Sequence, residues 1–570
     1  MRNRMLPQQP DKFFAFGYRR SGMFECCHQY FMTQIQKFLS ARLAGILCVM
    51  FSILAINSIQ LTTVNLGWDN SFSIAAAKSI SEGHGFSIKL ASSRDISKTY
   101  YEPLIKWPPG YSLLLVMVHA TGLFDWILSA FLLNAAGLTL LVLLFKRLLV
   151  QLEYPLWIIH PAVLYFGFVF HFYTGIYFTD IFALLFFMTG CSLLLQYVKR
   201  GQKAFYLIVL SAVCFAFSAW QKYLYFGLAF IPFISFFFFG WRKNLKKIRL
   251  ASGVGILVTG FLITLLIYFQ FRNAGQILYI KPSSRTGFFP FQVLQMAPIV
   301  PGTFLNLDFV NMQISGHLPV SYQNMYTLWS VANFICLVFL VYVSWPVIRD
   351  PQFFKKDFWN FYKKMSLWTS VYLFIFLIAL TVHYNSHYED MKNPWVFVGI
   401  PRYFAPFCFL LFPFFAFLFL KPNLFPNKFS FYLFRVLVLC IMAEEISHGA
   451  YFIIKQIFVH KEFGIQRHAD QVELHSYNLV KSERAKNEIV VCAGIPEISN
   501  FSSLTGTSSI MDPQVFKKPI YSSKDVLIIT TLDSFSASKM PVEFFKMDTR
   551  LVEQENGYSY YFTRIRANNP

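Results

Sequence analysis

Between Gly67-Trp68-Asp69-Asn70 and Trp107-Pro108-Pro109-Gly110-Tyr111 the chain holds a polar stretch set between two apolar ones. Residues 66–111 carry Asp69, Lys78, Glu82, His84, Lys89, Arg94, Asp95, Lys98, Glu102 and Lys106. A connection of about 45 residues between apolar regions is either functional or disordered. This one has a helical signal: Ile74, Ala75, Ala77 and Ile80 share a face that leaves Lys78 and Glu82 off it. Gly83-His84-Gly85 stops that helix. Pro108 and Pro109 suit the start of a second helix, where a missing N–H costs nothing. That helix, from Gly110 to about Gly122, is apolar but too short to cross a bilayer, so it reads as interfacial or re-entrant.

Outside this stretch the chain is built for lipid. It has 570 residues, 55% of them hydrophobic and 14% charged, which excludes an ordinary soluble protein. The formal charge of +21 does not indicate nucleic acid. Lys and Arg fall in short runs between apolar segments, such as Lys146-Arg147, Lys199-Arg200 and Trp241 to Arg249, as the positive-inside bias requires. Apolar runs beginning near residues 43, 127, 155, 181, 204, 224, 254, 328, 367, 404 and 429 make about eleven spans. The last is interrupted by Glu444, Glu445 and His448. Cys48, Cys191, Cys214, Cys336, Cys408 and Cys440 lie in apolar segments and act as small hydrophobes. Cys492 stands alone in the C-terminal region, and no CxxC or Cys/His metal spacing occurs.

The expected architecture is therefore an all-α polytopic membrane protein with a small extracytoplasmic α/β C-terminal domain. Residues 1–42 form a basic cytoplasmic tail. Residues 43–458 form the transmembrane domain, with external loops at 62–126 and 272–326. Residues 459–570 form the C-terminal domain, with strand-like runs at Glu488–Cys492, Val526–Thr531 and Tyr558–Thr563. The expected location is the cell (inner or plasma) membrane, multi-pass. The first apolar segment has no small-residue cleavage site and reads as an uncleaved span.

Several residues are open to a structural and a chemical reading. Asp69 is either a helix N-cap or a general base at the membrane surface. Asp180, at the start of a span, is either a cap or a functional carboxylate, since acids at membrane depth are costly unless satisfied. Glu102 is an exposed loop carboxylate or a ligand group. Arg402, at the mouth of a span, either snorkels or clamps a phosphate with two parallel hydrogen bonds. Arg272, Lys281 and Arg285 have the same two readings. His383, His387, Glu389 and Asp390 read first as a hydrated aromatic loop and second as a metal site. No cofactor is implied, and a divalent cation is left open. Walker A, GxSxG, Rossmann and HExxH patterns are missing from the sequence.

Taken together, Asp69, Gly83-His84-Gly85-Phe86, Pro108-Pro109-Gly110-Tyr111, Thr179-Asp180 before a long apolar run, and Arg402-Tyr403 resemble the GT-C membrane glycosyltransferases. That family includes the protein O-mannosyltransferases and the bacterial aminoarabinose transferase acting on lipid A. The resemblance covers most of residues 43–421 in layout. The second acid is often Glu in the family and is Asp here, and the C-terminal domain matches no family pattern. The resemblance implies a sugar donor carried on a polyprenyl phosphate, an extracytoplasmic acceptor, and the lipid bilayer as partner. It implies Asp69 and Asp180 as catalytic residues, with Asp69 as base and inversion at the anomeric centre. It implies substrate contacts from Glu102, Lys106, Tyr111, Arg272, Arg285, His387, Arg402 and Tyr403. Two rivals remain: a lipid or glycan transporter or flippase, and an O-antigen ligase or polymerase.

Overall fold

A computed structural model describes residues 41–62, 68–105, 107–174, 178–275, 357–383, 405–425, 427–458, 488–494, 508–510, 520–533, 540–547, 549–555 and 558–567, with a few isolated positions between. Its helices are α1 (Arg42–Thr62), α2 (Trp68–Ser81), α3 (Gly110–His119), α4 (Trp126–Gln151), α5 (Leu156–Thr174), α6 (Phe178–Lys199) and α7 (Tyr206–Gln221). There follow α8 (Tyr225–Leu228), α9 (Ile231–Arg242), α10 (Lys246–Ala274), α11 (Asp357–His383), α12 (Ala405–Leu420) and α13 (Lys428–Phe458). Four helical stretches among the described residues are long and apolar enough to cross a membrane: Leu128–Gln151, Thr179–Lys199, Tyr225–Arg242 and Lys246–Ala274. Most of the expected eighth span lies outside the described residues.

Exposed apolar stripes fit this bundle to lipid. On α1, Leu43, Ile46, Leu47, Met50, Phe51 and Leu54 are exposed at helical spacing, while Ala44, Ser52, Ala55 and Ile56 on the other side are buried. The buried side is made of small residues because lipid tails are as apolar as leucine, so close backbone approach must hold helices together. Ser52 donates from Oγ to the Val163 carbonyl (2.8 Å), and a Cβ at Gly167 would collide with Ser52.

The sequence reading of several connections is corrected. The expected span from Leu224 to Gly240 recurs as the apolar stretch Tyr225–Arg242, made of two helices, α8 and α9, with Pro232 in the first turn of α9. Lys246 to Arg249, expected in a loop, form the first turn of α10. Residues 357–364, also expected in a loop, belong to α11. Glu444, Glu445 and His448 do not interrupt α13, which runs unbroken for 31 residues. The basic residues still gather at one end of the bundle. Lys243 pairs with Asp357 (3.3 Å), Lys199 with Glu153 (3.0 Å), and Lys364 lies over the Phe239 ring.

At the other end stands a seven-stranded sheet. Its strands are β1 (Ser87–Ala91), β2 (Thr99–Pro103), β3 (Ile489–Gly494), β4 (Ser508–Ile510), β5 (Val526–Asp533), β6 (Thr549–Glu555) and β7 (Tyr558–Ile565), in the order β2-β1-β4-β3-β5-β7-β6. Strands β1, β4, β3 and β5 run parallel, and β2, β7 and β6 pair antiparallel at the flanks. The three strand-like runs read from the sequence recur as β3, β5 and β7. Val491, Ala493, Val526 and Ile528 pack on one face and Val490, Cys492, Leu527 and Ile529 on the other, as a parallel sheet covered on both sides requires. The hairpin β1–β2 comes from the first loop, so that loop and the C-terminal segment form one sheet on one side of the bundle.

Candidate active site at the sheet-facing rim

Three segments of the bundle converge under the sheet. The first is the start of α3. Gly110 is required there because a Cβ would run into the Trp220 carbonyl at the end of α7. The next residue, Tyr111, is fully buried, with its ring 5.8 Å from that of Phe182. Ser112 donates to the Ser73 carbonyl (2.8 Å), tying α3 to α2. The second segment is the start of α6, whose first turn carries Asp180. The third is the turn between α7 and α8, where Lys222 donates to Asp180. Both side chains of this pair are mostly buried, at 14% and 12% exposed. A mostly buried ammonium needs a counter-charge, and Asp180 supplies it.

The end of α10 closes the group. Gln270 donates from Nε2 to the Tyr223 hydroxyl (3.3 Å), which itself donates to the Ile105 carbonyl (2.8 Å). Burial pushes the Tyr223 phenol up, so it keeps the proton it donates. Asn273 donates from Nδ2 to the Phe86 carbonyl (2.8 Å). Neighbouring Gly85 has φ of +72°, a left-handed backbone that explains glycine in Gly83-His84-Gly85. Trp107 stacks on Phe72 of α2 at 5.2 Å. Phe72, Phe86 and the Trp107–Tyr111 segment of this stretch are thus held against the rim.

The residues singled out from the sequence fall as follows. Asp69 stands within the first turn of α2, which begins at Trp68. Asp180 is paired with Lys222, and Tyr111 is a core residue beside them. Glu102 is exposed on the edge strand β2, opposite Ile88. Arg272 is exposed in the last turn of α10, between Gln270 and Asn273. Lys106, Arg285, His387, Arg402 and Tyr403 lie outside the described residues. Sequence reasoning missed Lys222, Tyr223, Gln270 and Gln221. Gln221 is fully buried, with neither amide atom hydrogen-bonded to protein. A lone Gln-Lys-Tyr between two apolar helices was the available signal, because a cation away from the basic runs needs a partner. Among the described residues, no three His, Cys, Asp or Glu side chains meet as a metal site would require.

No protein-family model and no curated protein matches the chain. Among solved structures it is similar to ArnT from Cupriavidus metallidurans bound to undecaprenyl phosphate, at 12% identity and TM-score 0.47, over 92% of this chain and 98% of that one. It is similar to the Archaeoglobus fulgidus oligosaccharyltransferase tethered with an acceptor peptide, at 12% identity and TM-score 0.44, over 83% and 64%. It is also similar to the archaeal oligosaccharyltransferase AglB from Archaeoglobus fulgidus in complex with an inhibitory peptide and a dolichol-phosphate, at 11% identity and TM-score 0.41, over 91% and 73%.

Proposed function

We propose that this chain is an integral membrane glycosyltransferase that moves a sugar from a polyprenyl-phosphate carrier to an acceptor outside the cytoplasm. One observation carries the reading. The helix bearing Asp69, the Pro108–Tyr111 segment and the Asp180–Lys222 pair meet at one rim of an apolar bundle. A lipid-linked donor delivers its phosphate at such a rim while its chain stays in the bilayer. Asp69 takes the proton of the acceptor hydroxyl as that oxygen attacks the anomeric carbon. The bond to the lipid phosphate breaks on the opposite face, and the configuration inverts. Cations stabilise the departing phosphate, with Arg402, Arg272, Arg285 and Lys106 as the candidates. Asp180, engaged by Lys222, acts by holding that ammonium in place.

The test is glycosyl transfer from polyprenyl-phosphate sugars by purified Asp69→Asn. The loss of a general base predicts a fall of about 10²–10⁴-fold in turnover, with thermal stability unchanged. Near-wild-type transfer in a well-folded variant would sink the assignment of Asp69. Movement of lipid-linked sugar across vesicles, with no transfer, would favour a flippase instead. Mass spectrometry of glycans and glycolipids from a deletion strain identifies the acceptor as protein, lipid or envelope glycan.

A further inference from the structure

The turn between β1 and β2 carries a carboxylate that the proposed chemistry does not use. Asp95 is 5% exposed. Its Oδ1 accepts from Ser97 N (3.1 Å), Ser97 Oγ (2.7 Å) and Ser523 N (3.1 Å), and its Oδ2 accepts from Ser523 Oγ (2.7 Å). Lys98 approaches the same carboxylate at 3.5 Å. Beside it, Ile96 N donates to the Tyr521 carbonyl (3.1 Å), and Ile96 packs among Val491, Phe516 and Phe544. Burial pushes the Asp95 carboxyl up, but the hydrogen bonds from Ser97 and Ser523 outweigh it and hold the group well below the usual carboxylate range. A buried charge with this many matched donors is a built contact, because a buried charge without them is costly. It joins two segments 428 residues apart.

From Asp95 a packed path leads to the candidate base. Strand β1 places Ile88 and Leu90, with Phe86 before it, against Phe72 and Ala76 of α2. Phe72 is one helical turn from Asp69. The hairpin is thus a bridge, held by the C-terminal domain at one end and carrying α2 at the other.

We propose that the C-terminal domain is a positioning clamp for the first loop, and that the Asp95–Ser97–Ser523 contact is the pin that sets where the Asp69 helix stands. Asp95 is a positioning residue: it touches neither substrate nor the reacting atoms. Where the readout is transfer, the inference rests on the glycosyltransferase reading; where it is backbone protection, it rests on the geometry alone.

The test uses the full chain in lipid nanodiscs, with Asp95→Ala alone and with Asp95→Ala combined with Ser97→Cys and Ser523→Cys. The two serine hydroxyls are 2.9 Å apart, which puts these positions within reach of a disulfide. Asp95→Ala should speed amide exchange over residues 68–91 by about ten- to a hundredfold, the equivalent of the charge-assisted hydrogen bonds removed. Turnover should fall on the order of 10²-fold, the effect of misplacing a catalytic group by about 1 Å. In the triple variant, oxidation should restore both protection and turnover, and reduction should abolish both in the same sample. A disulfide carries no carboxylate, so rescue separates clamping from any chemistry of Asp95. Unchanged exchange over 68–91 in Asp95→Ala, or an oxidised pair that restores neither readout, would overturn the clamp. Exchange that responds as expected in a protein with no glycosyl transfer would leave the clamp standing and remove the functional reading.

Discussion

At Gly110 the missing side chain is the point of contact between two helices. The obstacle to a Cβ is backbone, the Trp220 carbonyl, which cannot rotate away. Gly110→Ala should therefore cost about 1–3 kcal/mol, the usual cost of overpacking, and displace α3 from α7. Thermal unfolding of the purified variant measures the cost, and an unshifted midpoint would show that the rim gives way without cost. Asp180 and Lys222 make a second residue-level case. Removing one partner takes the adjacent opposite charge away from a mostly buried one, so Asp180→Ala or Lys222→Ala should each destabilise by roughly 2–4 kcal/mol. The double variant should lose less than the sum, because the attraction between the two charges is counted in each single variant and lost only once in the double. Strict additivity in that cycle would mean the pair is not coupled.

Among the elements, the β1–β2 hairpin depends most on a distant partner. Its fourteen-residue helical neighbour α2 packs beneath it, and the C-terminal strands continue its sheet. Asp95 makes this join pH-dependent with a definite sign. Its carboxyl is depressed in the folded state, so its stabilisation is complete above the ordinary carboxylate value of about 3.9 and is lost as pH falls towards the lowered one. Protection of β1, read by exchange corrected for the intrinsic rate, should be flat from pH 8 to about pH 5 and decline only in stronger acid. A decline centred between pH 6 and 7 would instead point to a histidine. The glycine turn and the Pro-Pro-Gly entry to α3 were legible beforehand, because both rest on backbone rules that act within a few residues. The hairpin was not: Ser87–Ala91 is short, and its parallel neighbour β4 is contributed by residues 508–510.

For the whole molecule the sheet brings distant parts of the chain together. The first loop and the C-terminal strands stand on the same side of the bundle, so an even number of crossings between them is expected. A membrane-impermeant thiol reagent should label a cysteine at exposed Lys98 and one placed after residue 567 from the same side of sealed vesicles. Labelling from opposite sides would mean that the shared sheet does not form in the membrane. The basic end, with Lys199, Lys243 and Lys364 gathered together, should face the cytoplasm by the positive-inside bias.

Composition and hydropathy by themselves established a chain of apolar helices, because lipid forces every spanning segment to bury its backbone and expose apolar side chains. Turn residues marked where α2 ends and α3 begins, and short strand-like runs marked β3, β5 and β7. These are local properties, decided within one turn or one strand. Only the tertiary structure paired Lys222 with Asp180, set Gly110 against Trp220, and sealed Asp95 between Ser97 and Ser523. The free energy of each contact depends on a partner tens or hundreds of residues away. Loop closure costs grow only slowly with that separation, so nothing in the local sequence favours one partner over another.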